Sequence, residues 1–263
     1  MKKILIFGLP GSGKTTLAKR LAELIGNADW FNADDIRQRF NDWDFSSEGR
    51  VRQMERMKRF TDESVATKRY AIADFVCPTE VLRSQFNPDI TIFMDTITES
   101  RFEDTNAIFE RPTHYDHTIT SSQWWSEADI ESWARIITVA IKEHEFDSQR
   151  PTTQMLGRFQ PFHPGHMALF ERALAKHGQV ALLIRDMPIS ESNPWSQDQI
   201  VENIKKELAL FAGKFKIYKV PNIVNITYGR DVGYKIEQEV FDDTIHSISA
   251  TNIREQMRKD GRL

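Results

Sequence analysis

An apolar stretch, KKILIF (residues 2–7), leads directly into a glycine-rich octapeptide, GLPGSGKT, and then into an amphipathic stretch that ends at Gly26. The first stretch has the length of a buried strand, and the apolar residues of the last recur with helical spacing. Glycines in the turn let successive backbone N–H groups converge beside the helix N-terminus, which carries partial positive charge. This strand–loop–helix unit predicts an α/β architecture with a phosphate-binding turn.

The octapeptide, Gly8 to Thr15, fits the motif G-x-x-x-x-G-K-[ST] in full. In that motif the lysine reaches the β and γ phosphates of a nucleoside triphosphate, and the final hydroxyl binds Mg²⁺. Lys14 and Thr15 hold these positions, so we expect ATP and Mg²⁺ as cofactors. The complete motif in this position favours a nucleotide site over a plain glycine-rich turn. The predicted nucleotide-binding residues here are Gly8, Gly11, Ser12, Gly13, Thr15 and Thr16.

Strand and helix patterns alternate along the whole chain, with one interruption. A long charged helix (EGRVRQMERMKRFTDESVATKRY), strands AIADFVC and DITIFMD, and a helix capped by Ser126 precede the aperiodic stretch EFDSQRPTT. Strands QMLGRF, QVALLIRD and KFKIYKV follow, alternating with helices, one of them capped by Ser196; the last pattern, TIHSISATNIREQM, is strand-to-helix. Such alternation predicts mainly parallel sheets. We therefore predict an α/β chain of two domains, residues 1–147 and 154–263, with a linker at 148–153.

Composition excludes several classes of protein. The hydrophobic content of 40% and the charged content of 28% are typical of a globular chain, and a net charge of −3 argues against a nucleic-acid partner. We attribute the stretch QWW (residues 123–125) to packing rather than to base stacking. The single cysteine, Cys77, excludes an intramolecular disulfide. Because no apolar run reaches the ~20 residues of a membrane span, we expect a cytoplasmic enzyme of small-molecule substrates, compatible with a homo-oligomer.

Two carboxylates follow the second predicted strand, in NADDIR. Side chains just beyond the carboxyl end of a strand lie over the crevice where α/β sheets bind ligands. Asp34 or Asp35 can therefore accept a proton from an attacking hydroxyl or order the water around Mg²⁺, and Arg37 can bind an anionic acceptor. The alternative is that the two acids only stabilise a helix N-terminus.

Four segments in this order resemble the adenylylsulfate (APS) kinase family: GLPGSGKTTLAKRLAELIG, NADDIRQRFNDWDFSSEGRVRQMERM, ADFVCP and ITIFMDT. The resemblance covers roughly residues 1–100 and implies a P-loop kinase fold. It implies that Asp34 assists the acceptor hydroxyl and that Arg101 and Arg111 belong to a lid over the phosphates. The implied acceptor-binding residues are Arg37, Phe45, Arg50, Gln53, Phe75, Cys77 and Pro78.

The chain departs from the family pattern at three places. Asn32 replaces the first aspartate of D-G-D-N, and Gln53 replaces an asparagine. The lid segment, RFEDTNAIFERPTHYDHTIT, is less basic than in the family because it contains Glu103, Asp104 and Glu110. These departures are compatible with the kinase reaction but leave the identity of the acceptor undetermined.

A second pair of motifs lies in the other half of the chain. GRFQPFHPGH (Gly157 to His166) follows a predicted strand and opens a helix, and SISATNIR (Ser247 to Arg254) repeats that arrangement near the C-terminus. Both imidazoles can then face the crevice above the sheet, while Gly165 permits close backbone approach. The alternative is that the histidines are core or surface residues. In such a site an acceptor can attack the α-phosphorus of a nucleoside triphosphate and displace pyrophosphate. That reaction requires hydrogen-bond donors around the charge that develops.

These motifs resemble the HxGH nucleotidylyltransferase superfamily with its I-S-x-T-x-x-R segment, and GRFQPFHPGH is similar to the form in nicotinamide-mononucleotide adenylyltransferases. The resemblance implies a compact Rossmann-like domain that uses ATP or CTP, with His163, His166 and Arg254 as catalytic residues. YGRDVGY (Tyr228 to Tyr234) is similar to the superfamily's G-R-D segment, and Trp195 either covers the acceptor or packs in the core. The implied nucleotide-binding residues are Gly157, Arg158, Phe159, Gly165, Ser249 and Thr251.

The sequence therefore predicts a bifunctional transferase, in which Lys14 and Asp34 serve phosphorylation of a hydroxyl and the HxGH half transfers a nucleotidyl group to a small phosphorylated acceptor. One alternative is sulfate activation, in which an ATP sulfurylase acts beside an APS kinase. Against it, Phe159 and Gln160 stand where sulfurylases carry the Arg and Asn of Q-x-R-N-P-x-H. A further alternative is a nucleotide-sensing regulatory protein with one inactive domain, and end repair of nucleic acid is disfavoured by the charge.

Overall fold

The computed structural model describes residues 1–123, 126–227, 229–230, 233, 235–241 and 248–263. The chain divides into two compact units, Met1–Ile141 and Lys142–Leu263. Each contains a parallel sheet with helices, so the predicted α/β fold class is confirmed. The division between the units precedes the linker predicted at 148–153, and that linker stays a prediction.

In the first unit, strands and helices alternate from the N-terminus. The strands are β1 (Lys3–Phe7), β2 (Ala28–Asn32), β3 (Tyr70–Asp74), β4 (Ile90–Asp95) and β5 (His117–Thr120). The helices are α1 (Lys14–Ile25), α2 (Ala33–Phe40), α3 (Ser47–Ala66), α4 (Glu80–Phe86), α5 (Glu103–Ile108) and α6 (Glu127–Lys142).

The first sheet is parallel throughout, with the order β2-β3-β1-β4-β5. All residues of β1 and β3 are buried, which explains why these strands are apolar on both faces. One face packs on α1 and α6, and the other on α3 and α4. Because the strands are parallel, their carboxyl ends meet at one edge, where the loop after β1 lies beside the end of β3.

Helix starts follow the predicted capping residues. The Ser126 hydroxyl accepts from the backbone N–H of Asp129 at 3.2 Å, and Ser196 with Gln199 forms a complete capping box, so both predictions are confirmed. The long charged helix, however, ends at Ala66 rather than at Tyr70. Lys68 takes a left-handed φ of 61°, and Tyr70 already belongs to β3.

The predicted lid segment contains regular structure that the sequence did not reveal. Its first part forms α5, and its last part forms β5, the edge strand that pairs with β4. In β5 only Ile119 is buried, and the strand is four residues long. A short polar edge strand has too few apolar residues to produce a recognisable alternation.

The second unit contains a parallel sheet in the order β6-β7-β8. The strands are β6 (Thr153–Gly157), β7 (Val180–Arg185) and β8 (Phe215–Val220), and the helices are α7 (Pro164–His177), α8 (Gln197–Glu207) and α9 (Ala250–Lys259). Phe170 of α7 packs edge-on against Phe211 and Phe215, at centroid distances of 5.2 and 5.9 Å. The strand expected at TIHSIS falls mostly on residues 242–247, and QWW includes residues 124–125; both stretches lie outside the described residues.

None of the described helices is both long enough and apolar enough to cross a bilayer.

Gln179 attaches residues 147–152 to the second unit. Its side chain is 2% exposed and donates to the carbonyl of Asp147 at 2.7 Å, the carbonyl of Arg150 at 3.2 Å and the hydroxyl of Thr152 at 2.6 Å. The stretch that looks like a linker in the sequence is therefore tied by hydrogen bonds to the turn between α7 and β7.

Replacing Gln179 by Leu should destabilise the second unit by ~1–3 kcal/mol, because three hydrogen bonds from a buried side chain to residues 147–152 would be lost. Hydrogen exchange of the β6 and β7 amides measures this free energy in the intact chain. Gln149→Leu, at an exposed position of the same stretch, is the matched control and should leave exchange unchanged. Equal exchange rates in the two variants would contradict the role given to Gln179.

Candidate functional site

The turn after β1 has the geometry that its glycines predict. Gly8, Gly11 and Gly13 all have positive φ values, of 147°, 87° and 89°. A Cβ atom on Gly8 would lie 2.6 Å from the carbonyl oxygen of Met94, so this position admits no side chain. The Ser12 hydroxyl is buried and has no partner among the described residues. The turn thus leads tightly into α1, with Thr16 exposed on its first turn.

Lys14 lies at the start of α1 and donates from Nζ to the carbonyl of Leu9 at 2.8 Å. Burial lowers the pKa of Lys14 to about 8, and the negative charges of Asp74 and Asp34 act in the opposite direction. The ammonium group has lost hydration without gaining an ion pair at contact distance among the described residues. A phosphate group would supply that missing counter-charge.

A buried carboxylate, Asp74, joins the turn to the neighbouring strand. It accepts from the Thr15 hydroxyl at 2.7 Å, the Trp30 indole at 2.7 Å and the Asn32 amide at 3.0 Å, and it is 2% exposed. Burial raises the pKa of Asp74, while these hydrogen bonds oppose the rise. No motif in the sequence singled out this residue. The available signal was an acid at the end of a wholly apolar strand, YAIAD.

Thr15 and Asp74 fit a magnesium ion chemically. Mg²⁺ prefers hard oxygen ligands and is held by one or two protein groups together with substrate phosphates. A hydroxyl and a carboxylate in contact with each other beside a phosphate-binding turn provide such a pair. These two residues would therefore hold the ion.

Asn32 stands where the APS kinase family, which the sequence resembles, carries an aspartate, and its contacts give a reason for the amide. Its Oδ1 accepts from the backbone N–H groups of Asp34 and Asp35 at 3.0 and 3.1 Å, which caps α2. Its Nδ2 donates to Asp74. A second carboxylate at this position would face Asp74 without a proton to share, so the amide satisfies both neighbours. Asp34 and Asp35 are exposed on the first turn of α2.

Three of the predicted acceptor residues meet around one aromatic ring. The guanidinium groups of Arg37 and Arg50 lie 4.5 and 5.8 Å from the centroid of Phe45. Arg37 is 5% exposed and donates to two backbone carbonyls, those of Asp42 and Asp44. Burial lowers the pKa of Arg37, and the negative charge of Asp42 acts in the opposite direction. The cluster combines positive charge with a ring that is 49% exposed.

Gln53 lies on α3 and donates from Nε2 to the carbonyl of Ala33 at 3.0 Å. Its Oε1 is buried and has no partner among the described residues. Gln53 therefore offers a hydrogen-bond acceptor that no described group uses.

Phe75, Cys77 and Pro78 follow β3 and are largely buried. Phe75 packs edge-on against Phe86 at 5.3 Å, and Arg83 donates to the carbonyls of Cys77 and Pro78, at 3.1 Å each. Burial raises the pKa of the Cys77 thiol far above its usual value, so the thiol stays protonated. The described contacts of this segment are the packing of the Phe75 ring and hydrogen bonds to the backbone carbonyls of Cys77 and Pro78.

The two lid arginines differ in their contacts. Arg111 forms a bidentate ion pair with Asp95, the last residue of β4, whereas Arg101 is exposed and stacks on Phe102 at 4.8 Å. Asp104 of α5 accepts from Arg50 at 3.1 Å. An acidic residue of the lid segment thus contacts an arginine of the predicted acceptor group.

In the second unit, the loop from Gly157 to His163 brings the two histidines into contact. Their rings stack with a centroid distance of 3.8 Å, and Phe159 lies edge-on to His166 at 5.0 Å. Phe159 has a left-handed φ of 49°, and its ring occupies the space beside Gly157, where a Cβ atom would lie 2.9 Å away. Gly165 likewise leaves room for the His163 ring, 3.1 Å from where its Cβ would lie.

Both imidazoles are neutral at neutral pH. Burial lowers the pKa of His163, and burial together with the charge of His163 lowers that of His166 to about 4. Their Nδ1 atoms are buried and have no partner among the described residues. The pair therefore retains unused hydrogen-bonding capacity.

The C-terminal motif reaches the histidine loop through Arg254. This residue is 7% exposed and donates from Nη1 to the carbonyl of Gln160 at 2.7 Å and from Nη2 to Thr251 at 3.2 Å. The Ser249 hydroxyl accepts from the N–H of Thr251 at 3.2 Å and so caps α9. Two motifs far apart in the sequence therefore meet at one place.

Trp195 joins the same loop through its backbone. The side chain of Gln160 donates to the carbonyl of Trp195 at 2.9 Å and accepts from its N–H at 3.2 Å. The G-R-D segment predicted at YGRDVGY includes Tyr228, Asp231, Val232 and Tyr234, and Ser247 opens the C-terminal motif; these five residues lie outside the described ones.

Family comparisons agree with both resemblances seen in the sequence. Residues 2–107 match the model of the adenylylsulphate kinase family, and residues 155–210 match that of the cytidylyltransferase-like family. Together these matches indicate a transferase with a kinase-like and a nucleotidyltransferase-like part. Among curated proteins, none matches the chain.

Several solved structures are similar to about half of the chain. The APS kinase of Mycobacterium tuberculosis, in complex with AMPPNP and APS, is 19% identical over 52% of this chain and 94% of its own, with a TM-score of 0.43. The shikimate kinase of Acinetobacter baumannii, in complex with shikimate, is 20% identical over 56% of this chain and 96% of its own, with a TM-score of 0.38.

The lowered pKa of Lys14 predicts that nucleotide binding at the first site weakens in alkaline solution. Phosphate binds the ammonium form, which is lost as the pH rises through about 8, so ATP affinity should fall about tenfold between about pH 7 and about pH 9. ATP affinity is measured by calorimetric titration of the His166→Ala variant, in which nucleotide binding at the second site should be weakened.

Lys14→Arg should abolish this decline, because a guanidinium stays charged throughout the range. Lys19→Arg, at an exposed position of α1, is the control and should retain it. A decline of the same size with arginine at position 14 would show that another group titrates.

Proposed function

We propose that the chain is a bifunctional transferase. The first unit phosphorylates the hydroxyl of a small molecule with ATP, and the second transfers a nucleotidyl group from ATP or CTP to a small phosphorylated acceptor and releases pyrophosphate. One observation carries the proposal: each unit gathers its own set of groups suited to bind phosphate directly or through Mg²⁺. These sets are Lys14, Thr15 and Asp74 in the first unit, and His163, His166 and Arg254 in the second.

In the first reaction, the acceptor oxygen forms a bond with the γ-phosphorus while the bond from that phosphorus to the β-phosphate oxygen breaks, and ADP leaves. The hydroxyl proton goes to the Asp34 carboxylate, which is exposed and whose charge reaches both Lys14 and Arg37. Lys14 stabilises the charge on the β and γ phosphates. When bound by Thr15 and Asp74, Mg²⁺ neutralises charge on the same phosphates.

The acceptor of this reaction is proposed to be anionic and to carry a planar group. Arg37 and Arg50 provide the positive charge, and the half-exposed ring of Phe45 provides a surface for stacking. APS, which is bound in the Mycobacterium tuberculosis kinase, has both features. Its anion would compete with Asp104 for Arg50.

In the second reaction, a phosphate oxygen of the acceptor forms a bond with the α-phosphorus while the bond from that phosphorus to the β-phosphate oxygen breaks. Pyrophosphate leaves with the electron pair, and no proton need be transferred. The two neutral imidazoles donate hydrogen bonds to the charge that develops on the phosphate oxygens, and Arg254 binds the leaving group.

Two substitutions should separate the activities. Lys14→Ala should abolish ATP-dependent formation of ADP and leave pyrophosphate release intact, because it removes the cation of the first site alone. His166→Ala should do the reverse and slow pyrophosphate release ~10²–10³-fold. ADP and pyrophosphate are measured separately with purified full-length protein.

Lys19→Ala and His177→Ala are the matched controls, since these residues lie at exposed positions of α1 and α7. Both activities should persist in them. Loss of both activities in Lys14→Ala or in His166→Ala would refute the two-site proposal. A chain that releases only one product in the unsubstituted form would favour a protein with one inactive domain.

A metabolite panel with Mg-ATP and with Mg-CTP tests the substrates. We expect APS to yield ADP and its 3′-phosphorylated product, and monophosphorylated metabolites to yield pyrophosphate. Turnover of another alcohol with no turnover of APS would assign the first unit to a different acceptor.

A further inference from the structure

Another arginine, Arg258, lies one helical turn after Arg254 on α9. Residues four apart share a face of a helix, so both guanidinium groups project from one side of α9. Arg158, in the loop after β6, completes the group. We call Arg158, Arg254 and Arg258 the arginine cluster.

Every hydrogen bond described for the arginine cluster ends on a neutral oxygen. Arg254 donates to the Gln160 carbonyl and the Thr251 hydroxyl, at 2.7 and 3.2 Å. Arg258 donates to the Glu191 carbonyl at 2.6 Å, and Arg158 lies 3.5 Å from Oδ1 of Asn193. These contacts orient the guanidinium groups without pairing them with a carboxylate at contact distance.

Two other arginines of this unit have carboxylate partners, whereas Arg185 donates to the neutral Oδ1 of Asn222. Arg172 pairs with Glu239 at 3.3 Å, and Arg262 pairs with Asp260 at 2.7 Å. Within the described part of the chain, no carboxylate forms such a pair with the arginine cluster. Burial, followed by the positive charges of Arg158 and Arg258, lowers the pKa of Arg254, and the negative charge of Glu255 acts in the opposite direction. Arg254 is therefore close enough to both other arginines to be repelled by them.

A tight turn, Ser190 to Asn193, holds two members of the cluster in place. Its ends are joined by two backbone hydrogen bonds, Ser190 N–H to Asn193 carbonyl at 3.1 Å and the reverse at 3.0 Å. Asn193 is 5% exposed and donates to the hydroxyls of Ser190 and Ser192. Because the turn supplies the oxygens that meet both Arg158 and Arg258, it fixes their positions relative to α9.

We propose that Arg258, together with Arg158, binds phosphates of the nucleotide substrate, so that the arginine cluster receives a triphosphate chain rather than a single phosphate. This inference rests on the proposed nucleotidyl transfer and adds a binding residue to it. Clustered guanidinium groups that repel one another suit a ligand with several adjacent negative charges. A triphosphate chain offers three guanidinium groups more anionic oxygens, over a greater length, than a monophosphate does.

Inorganic tripolyphosphate is the probe, because it carries the phosphates without a base. Calorimetric titrations use full-length protein with Lys14→Ala, so that the contribution of the first site is weakened and equal in all variants. We expect Arg258→Met to weaken tripolyphosphate binding about tenfold and to leave the weak binding of orthophosphate unchanged. Arg258→Lys should restore part of the loss, which also guards against misfolding of the methionine variant.

Arg262→Met is the matched control, since Arg262 lies four residues beyond Arg258 and is paired with Asp260; its binding should equal that of the parent. Equal tripolyphosphate affinity in Arg258→Met and the parent would overturn the inference, as would an equal loss for tripolyphosphate and orthophosphate. If the parent releases no pyrophosphate from any nucleotide but loses tripolyphosphate binding through Arg258→Met, the proposed function fails and the phosphate site stands.

Discussion

The buried carboxylate of Asp74 is the contact on which the first unit's site depends. It ends β3, and through Thr15 and Asn32 it holds the start of α1 and the end of β2 together. Trp30 donates a further hydrogen bond to it. A carboxylate buried to this degree is costly unless several donors reach it, and here the donors come from the elements that must be aligned for phosphate binding. The hydrogen bonds that offset the desolvation of Asp74 therefore also align the elements of the phosphate-binding site.

Gln160 has the corresponding position in the second unit. Its side chain clamps the backbone of Trp195 with two hydrogen bonds, and its carbonyl receives Arg254 from α9. The residue is 4% exposed, so these polar contacts are made away from water and are costly to break. The loop that carries His163 and His166 is thereby joined to two other segments. The stacked imidazoles, neutral and incompletely hydrogen-bonded, lie in the part of the loop that these contacts hold.

Two departures from the family pattern acquire a physical reason. Asn32 serves as helix cap and as donor to Asp74, which a carboxylate could not do without repulsion. The acidic lid segment contains α5, whose Asp104 pairs with Arg50, and it ends in β5, a strand of the sheet. Neither departure removes Lys14, Thr15 or Asp74, so the groups suited to bind phosphate and Mg²⁺ persist while the surroundings of the acceptor change.

The sequence by itself determined the features that depend on neighbouring residues. The strand–turn–helix around Lys14, the helix caps at Ser126 and Ser196, and the HxGH turn are local patterns whose geometry follows from backbone conformation and short-range hydrogen bonds. Tertiary structure alone decided which distant residues meet. The pairing of Thr15 with Asp74, the hydrogen bonds of Gln160 to Trp195, the hydrogen bond of Arg258 to the Glu191 carbonyl and the edge strand β5 all join residues or segments far apart in the chain. No spacing encodes such contacts, because parallel strands and packed helices bring together residues whose separation along the sequence is set by the elements between them.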